Sequence, residues 1–429
     1  MNRAAKYRIP ADYCVIMIIC TLFIVIAFLL DTPANILHNF WVINTSRSVL
    51  VSDYIAMAGL GATLLNSAVS CLFFLILLIF NKREPNGRVI AALFLTLGFT
   101  FFGKNMFNTL PLCVGVWIYA RVHKAKFADY MISAMCCATV APIVSEIAFL
   151  GGSTSIIKFI AAYLTGIFVG FIFPEVVEAA KRMHRGYCLY NSGIAGGFIA
   201  TFAVGALKSM GIVIEPENYW DTEHTMYLAI AVYVFSVAMI LFGLIAGGAE
   251  NTVKKIKGFV KERGKENYDY LTHYGKSSYV NIGVMCIIST STMLFLRIPI
   301  NGPVLGGILT IAGFSVAGKN VINTLPVLAG SIMAAFLNQQ YALDSAPGAL
   351  SILFSTGLAP IACKYGWYWG IIAGFLHVSV AVNIGDLNGG LNLYNNGFAG
   401  GFVAITLVPI ITFIQRLVNK EQDEESNPK

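Results

Sequence analysis

The 429-residue chain is 57% apolar and only 12% charged, with a mean hydropathy of +0.72, whereas a soluble domain runs about 45–50% apolar and about 25% charged. That balance excludes a soluble globular protein and points to a polytopic membrane protein, with the lipid bilayer as a partner. A formal net charge of +7 could suit nucleic acid, but the basic residues gather at the ends of apolar runs, where the orientation rule of membrane proteins accounts for them.

The first apolar run, Tyr13 to Leu30, is longer than the core of a cleavable signal and more runs follow, so it is read as a retained span. Crossing helices are predicted near residues 12–30, 52–80, 128–150, 154–173, 191–209, 225–247, 279–297, 347–363, 367–383 and 394–415. Two further apolar runs, 88–120 and 303–337, are each broken by the same motif. In the first it reads Gly103-Lys104-Asn105-Met106-Phe107-Asn108-Thr109-Leu110-Pro111 and in the second Gly318-Lys319-Asn320-Val321-Ile322-Asn323-Thr324-Leu325-Pro326. A second pair follows in register: Tyr190-Asn191-Ser192-Gly193 and Tyr394-Asn395-Asn396-Gly397. Polar interruptions are costly inside a membrane, and the same ones twice, in the same order, indicate a duplicated pore or carrier.

The charges orient the two broken runs. Lys82, Arg83 and Arg88 precede the first, and Arg121, Lys124 and Lys126 follow it, so both of its flanks read as cytoplasmic. The second has only Arg297 before it and no Lys or Arg in 338–346, so both flanks read as external. Each run therefore goes in and comes back as a re-entrant hairpin, and the two enter from opposite sides. Arg3, Lys6, Arg8, Lys181, Arg182, Arg185, the run Lys254 to Lys276, Arg416 and Lys420 fall on the cytoplasmic side. The outer side holds little beyond Arg47, Lys158, Lys208 and Arg297, with an acidic loop carrying Glu215, Glu217, Asp221 and Glu223.

The predicted architecture is an all-α polytopic membrane protein, an inverted repeat of five plus five transmembrane helices with two re-entrant hairpins, both termini cytoplasmic, in the cell membrane. Its parts are a first repeat over 1–210 and an outer loop and first span of the second repeat over 211–247. A basic linker over 248–278 follows, read as a surface helix joining the halves, then the rest of the second repeat over 279–416 and a polar tail over 417–429.

Non-helical backbone at membrane depth must be buried in protein or line a wet cavity. Gly103 and Gly318 permit the breaks; Asn108 or Thr109, and Asn323 or Thr324, could cap the returning helices, with Pro111 and Pro326 in the first turn. Lys104 and Lys319 could clamp the carbonyls that end the first half-helix, or face the path and attract an anion. The candidate solute-binding residues are Lys104, Asn105, Asn108, Tyr190 and Asn191, and their counterparts Lys319, Asn320, Asn323, Tyr394 and Asn395. Asn191 and Asn395 open helices whose free N–H groups would point at a solute. Glu146 and Lys364 read as helix-end residues, His377 and Asp386 as packing and loop residues, and Asp53 as interfacial. The nine cysteines lack metal-ligand spacing and read as buried thiols. No nucleotide-binding loop, His-Glu-x-x-His or pair of intramembrane carboxylates is present, so neither enzymatic activity nor a cofactor is expected.

The Phe99-Thr100-Phe101-Phe102-Gly103-Lys104-Asn105 segment and the two Tyr-Asn starts resemble the urea transporter family. That resemblance implies five spans and a re-entrant helix per inverted half, and a homotrimer with one pore per subunit. The chain resembles more closely a group of bacterial multi-pass membrane proteins with the doubled Gly-Lys-Asn pattern, which brings no function with it. Urea pores are uncharged, and the two lysines here make a small anion or carboxylate equally suitable. The expectation is a channel or facilitator for a small polar or anionic solute, urea-like, amide-like or a small carboxylate. An ion-coupled secondary transporter is the first alternative, and an intramembrane enzyme or assembly subunit the second.

Overall fold

The computed structural model describes residues 9–152, 155–214, 218–261 and 268–426. Arg3, Lys6, Arg8, Glu215, Glu217 and part of the linker lie outside them. The first half comprises α1 (Ala11–Leu30), α2 (Pro33–Thr45), α3 (Tyr54–Phe80), α4 (Gly87–Phe99), α5 (Met106–Val122), α6 (Met131–Cys136), α7 (Pro142–Phe149), α8 (Ile156–His184) and α9 (Asn191–Ser209). The second half follows with α10 (Thr225–Gly247), α11 (Ala249–Lys261), α12 (Tyr270–Tyr274), α13 (Tyr279–Phe295), α14 (Gly302–Phe314), α15 (Val321–Leu337), α16 (Ala346–Ser355), α17 (Ala359–Tyr365), α18 (Trp367–Asn388) and α19 (Asn395–Ser426).

Among the described residues, nine helical segments are long and apolar enough to cross a membrane, and the bent pair 127–140 and 142–149 makes a tenth. These ten correspond to the ten spans expected from sequence. The four helices α4, α5, α14 and α15 are apolar but only 13 to 17 residues long, short of the roughly 20 that a crossing needs. They are the limbs of the two hairpins.

Side-chain contacts fix which way each limb runs. Leaving α3, Arg83 lies 3.7 Å from Asp129, just past the end of α5, so the first hairpin begins and ends at one face, hereafter the basic face. A Cβ at Gly166 would meet Pro111, and one at Gly115 would meet Ile167 and Phe171, so α5 runs parallel to α8 toward Lys181 and Arg182. In the second half Gly370 faces Pro326, and Gly374 faces Val327 and Ser331, so α15 runs parallel to α18. There α18 ends near Val49 and Leu50, at the face opposite the basic one.

The two entering limbs cross antiparallel. The start of α4 (Gly87) abuts the carbonyl of Val316 beyond the end of α14, and the start of α14 (Gly302) abuts the carbonyl of Phe101 beyond the end of α4. About one turn in from each start, Gly306 faces Gly98 and Ala91 faces Gly313. The exchange of contacts is reciprocal, as an inverted repeat requires. An acidic residue clasps each limb across the halves. Asp269 caps α12 through the Thr272 N–H and accepts the Gly87 N–H at 2.9 Å. Asp53 caps α3 through the Ile55 N–H, accepts the Asp221 N–H at 3.0 Å, and reaches the Gly302 N–H. Sequence reading placed Asp53 at the interface; it is buried, because it satisfies two helix-start donors and one loop N–H at once.

Two 13-residue helices, α2 and the amphipathic α11, hold equivalent places after the first helix of each half. The linker was expected to contain such a surface helix; α2 was not anticipated, since its 13 residues carry no charge to mark a polar face. Asp386, read as a loop residue, is exposed on the last turns of α18. All nine cysteines are free, and six of them are buried.

Candidate functional site

Each hairpin turns at its Gly-Lys-Asn motif. Gly103 and Gly318 adopt φ of +64° and +122°, conformations that a side chain would strain. Asn105 and Asn320, rather than the residues three or four further on, are the N-caps. Each accepts the N–H of Asn108 or Asn323 at 3.0 Å and donates its own N–H to that residue's side chain at 2.9 Å, a reciprocal capping box. The spare amide protons are also used: Asn108 donates to the Gly103 carbonyl and to Ser145, and Asn323 to the Gly318 carbonyl. Asn105 donates to the Ile43 carbonyl and Asn320 to the Tyr270 hydroxyl. Pro111 and Pro326 lie inside α5 and α15, past the first turn; Gly166 and Gly370 pack on them.

The carbonyls exposed at each break are not clamped by the lysines. Asn66 on α3 donates to the carbonyls of Thr100 (2.8 Å) and Lys104 (3.0 Å), and Asn281 on α13 donates to those of Ser315 and Lys319, both at 2.7 Å. This pair was missed in the sequence, although the offset that carries Lys104 onto Lys319 also carries Asn66 onto Asn281.

The lysine side chains are thus left for other contacts, and each is almost wholly buried. Lys319 Nζ hydrogen-bonds the Tyr190 hydroxyl and Thr356 Oγ1 (2.7 Å) and sits 4.4 Å from the centre of the Tyr190 ring. Lys104 Nζ makes two long contacts of 3.4 Å, to Thr96 Oγ1 and the Met135 carbonyl, and lies 5.2 Å from the Phe74 ring. No carboxylate pairs with either lysine among the described residues. Glu146, read as a helix-end residue, is held by Arg47 at 2.9 Å near the opposite face.

Helices α9 and α19 meet at their N-termini. A Cβ at Gly193 would come within 2.7 Å of the Gly397 Cα, Gly197 receives Phe398, and Gly401 receives Ile194. Tyr190 and Tyr394, one residue before each helix, bring their ring centres to 4.6 Å. Phe99 and Phe354 pack edge-on against Tyr394 at 5.2 and 5.3 Å, and Phe314 against Tyr190 at 5.1 Å. Where a common aqueous passage was expected, a layer of rings fills the centre. The Tyr394 hydroxyl is buried there without a hydrogen bond of normal geometry. Asn395 accepts from Asn388 at 3.0 Å.

A polar cavity of about 320 Å³ leads from the basic face toward this layer. Arg83, Arg88, Asp129 and Lys181 stand among its walls, and Asn191, Ser192, Leu189 and Phe314 line it deeper in. Arg83 has Asp129 and Lys181 has Glu178 as neighbours, while Arg88 is exposed with no ion pair among the described residues. The Asn191 amide oxygen is buried without a partner. Of the ten residues singled out by sequence, Tyr190 touches both Lys319 and Tyr394, Asn191 stands on the cavity wall, and Lys104 makes its contacts separately. The capping asparagines and Asn395 are engaged by the chain itself.

Fold and site together define a membrane-embedded helical protein of two inverted repeats. The chain belongs to the family described as "Protein of unknown function (DUF1576)", whose model matches residues 32–209 and 249–413. Neither the curated proteins nor the solved structures contain a match to the chain.

Proposed function

We propose that the protein transports a small anionic or polar solute across the membrane, along a path between its two repeats. The observation carrying this reading is the pair of buried lysines at the hairpin breaks, neither with a carboxylate among the described residues. A buried charge without a partner is expensive, and in membrane proteins such groups mark solute pathways. A bound anion would supply what Lys319 lacks. The hydroxyls of Tyr190 and Tyr394 and the start of α9 would offer it further donors.

The arginines at the cavity mouth favour accumulation of anions there. The ring layer beyond the cavity favours a gated facilitator or carrier over a permanently open channel, since the solute would have to displace or rotate Tyr190 and Tyr394. Ion coupling is a second reading that this closed centre permits. Urea and amides remain in the substrate panel because Asn191 presents an amide to the cavity.

The test is flux into proteoliposomes, using small carboxylates, urea and amides. Lys319→Met is expected to reduce anion flux at least tenfold, about 1.4 kcal/mol of lost stabilisation, with Lys319→Arg retaining part of it. Flux and selectivity unchanged in a folded Lys319→Met protein would remove this lysine from the path.

A further inference from the structure

A second cavity, of about 280 Å³ and lined by neither lysine, lies between α1 and α10. Its walls are Ile19, Phe23, Ile26 and Leu30 of α1 and Leu228, Ala231, Val232 and Phe235 of α10. Its floor is formed by the hairpin limbs, through Phe94 and Leu97 of α4 and Leu305 and Leu309 of α14. The Tyr227 hydroxyl is the one polar side-chain group in its lining among the described residues, and that residue is 73% exposed. A polar solute would find nothing to replace its hydration there.

The depth of this crevice identifies what fits it. From Leu30 to Ile19 the helix rises roughly 16 Å, about half of a ~30 Å hydrocarbon core. The crevice therefore occupies a single leaflet, the one on the face opposite the basic residues. In the other leaflet the same seam is shut. Asp12 at the start of α1 holds Lys276 and accepts from the Tyr279 hydroxyl at 2.9 Å, and the neighbouring Ser277 packs against Gly247 at the end of α10. A second copy of the chain packing on α1 and α10 would bury the full height of both helices. A slot open over one leaflet and closed over the other matches a lipid tail instead. Tyr227 stands at its mouth, at the depth where aromatic hydroxyls meet headgroups.

We infer that this crevice binds one acyl chain of a bilayer phospholipid, which packs directly on the crossing limbs α4 and α14. The bound chain completes the apolar wall behind the hairpins, so the lipid is a structural partner of both repeats. This inference is independent of any transported solute.

The experiment uses the full-length protein in phosphatidylcholine vesicles containing a phosphatidylcholine with a diazirine in one acyl chain, with photolabelled residues located by mass spectrometry. Labelling is expected at Leu305 and Leu309, which are 6% and 7% exposed and out of reach of ordinary surrounding lipid. It should fall several-fold in Ala231→Trp, and less in Ala231→Leu, while labelling of the outward-facing Ile230 and Val234 persists. Labels confined to outward-facing residues in the wild type would overturn the proposal. So would efficient cross-linking between copies through Ala231→Cys, which would place a second chain in the slot.

Discussion

Asn66 and Asn281 show how single amides make a broken helix tolerable at membrane depth. A break leaves carbonyls with no intrahelical donor, and in hydrocarbon no water reaches them. One side-chain amide has two protons, enough for one carbonyl on each side of the turn. Removing it strands both acceptors, at about 1–3 kcal/mol for each unsatisfied group. Asn66→Ala and Asn281→Ala are therefore each expected to destabilise the protein by a few kcal/mol, more than Asn66→Asp or Asn281→Asp variants examined at low pH, where a protonated carboxyl keeps one donor. Thermal unfolding in detergent measures the order. At this scale the Gly-Lys-Asn motifs were legible because glycine, charge and amide cluster within an apolar run. Asn66 and Asn281 were not, because an isolated amide within a helix carries no local signature. Only the demand of the distant carbonyls explains it. The capping role of Asn105 and Asn320 was blurred for a related reason: several consecutive residues could cap, and only the backbone geometry selects one.

At the scale of elements, close backbone approach organises each half. A Cβ at Gly330 would lie 1.9 Å from the Ile371 carbonyl, and one at Gly374 would lie 2.0 Å from the Val327 carbonyl. Gly170 and Gly115 stand in the same relation to α5 and α8, at 2.0 and 2.1 Å. The obstacles are backbone atoms, which cannot rotate aside, so the helices must separate. Without a hydrophobic force between helices in lipid, such packing supplies much of their association. Gly374→Ala and Gly170→Ala should each cost about 1–3 kcal/mol or more, whereas Gly205→Ala, with nothing within 4 Å, should be near neutral. Unfolding midpoints of the three variants decide the point. The ten spans and both hairpins were readable from apolar run lengths and flanking charge. Helix α2 was not, because 13 residues are too few for a span and no charge marks them as a surface helix.

At the scale of the molecule, the family match begins just after α1 in the first half and just after α10 in the second. Those two helices wall the apolar crevice, while the matched segments contain both hairpins and both crossing N-termini. The inverted arrangement predicts that single cysteines introduced within 122–127 and within 338–346 react with an impermeant reagent from opposite sides of the membrane. Both reacting from one side would contradict the antiparallel crossing of α4 and α14. The doubling itself was evident from sequence. The closure of the centre by Tyr190, Tyr394, Phe99 and Phe354 was not, because polar motifs announce a wet path and say nothing of how side chains fill it.

The clasp between Gly87 and Asp269 joins residues 182 positions apart, and it has a bearing on biosynthesis. When the ribosome has delivered the first repeat to the translocation machinery, the N–H at the head of α4 still lacks its acceptor, which arrives only after α10, within the linker. The opening repeat must wait in the bilayer half-assembled, shielded by lipid or by a chaperone, until its successor threads in beside it. Neither repeat is then a self-sufficient folding unit, and an ancestor with one repeat per chain would have needed a twin inserted upside down.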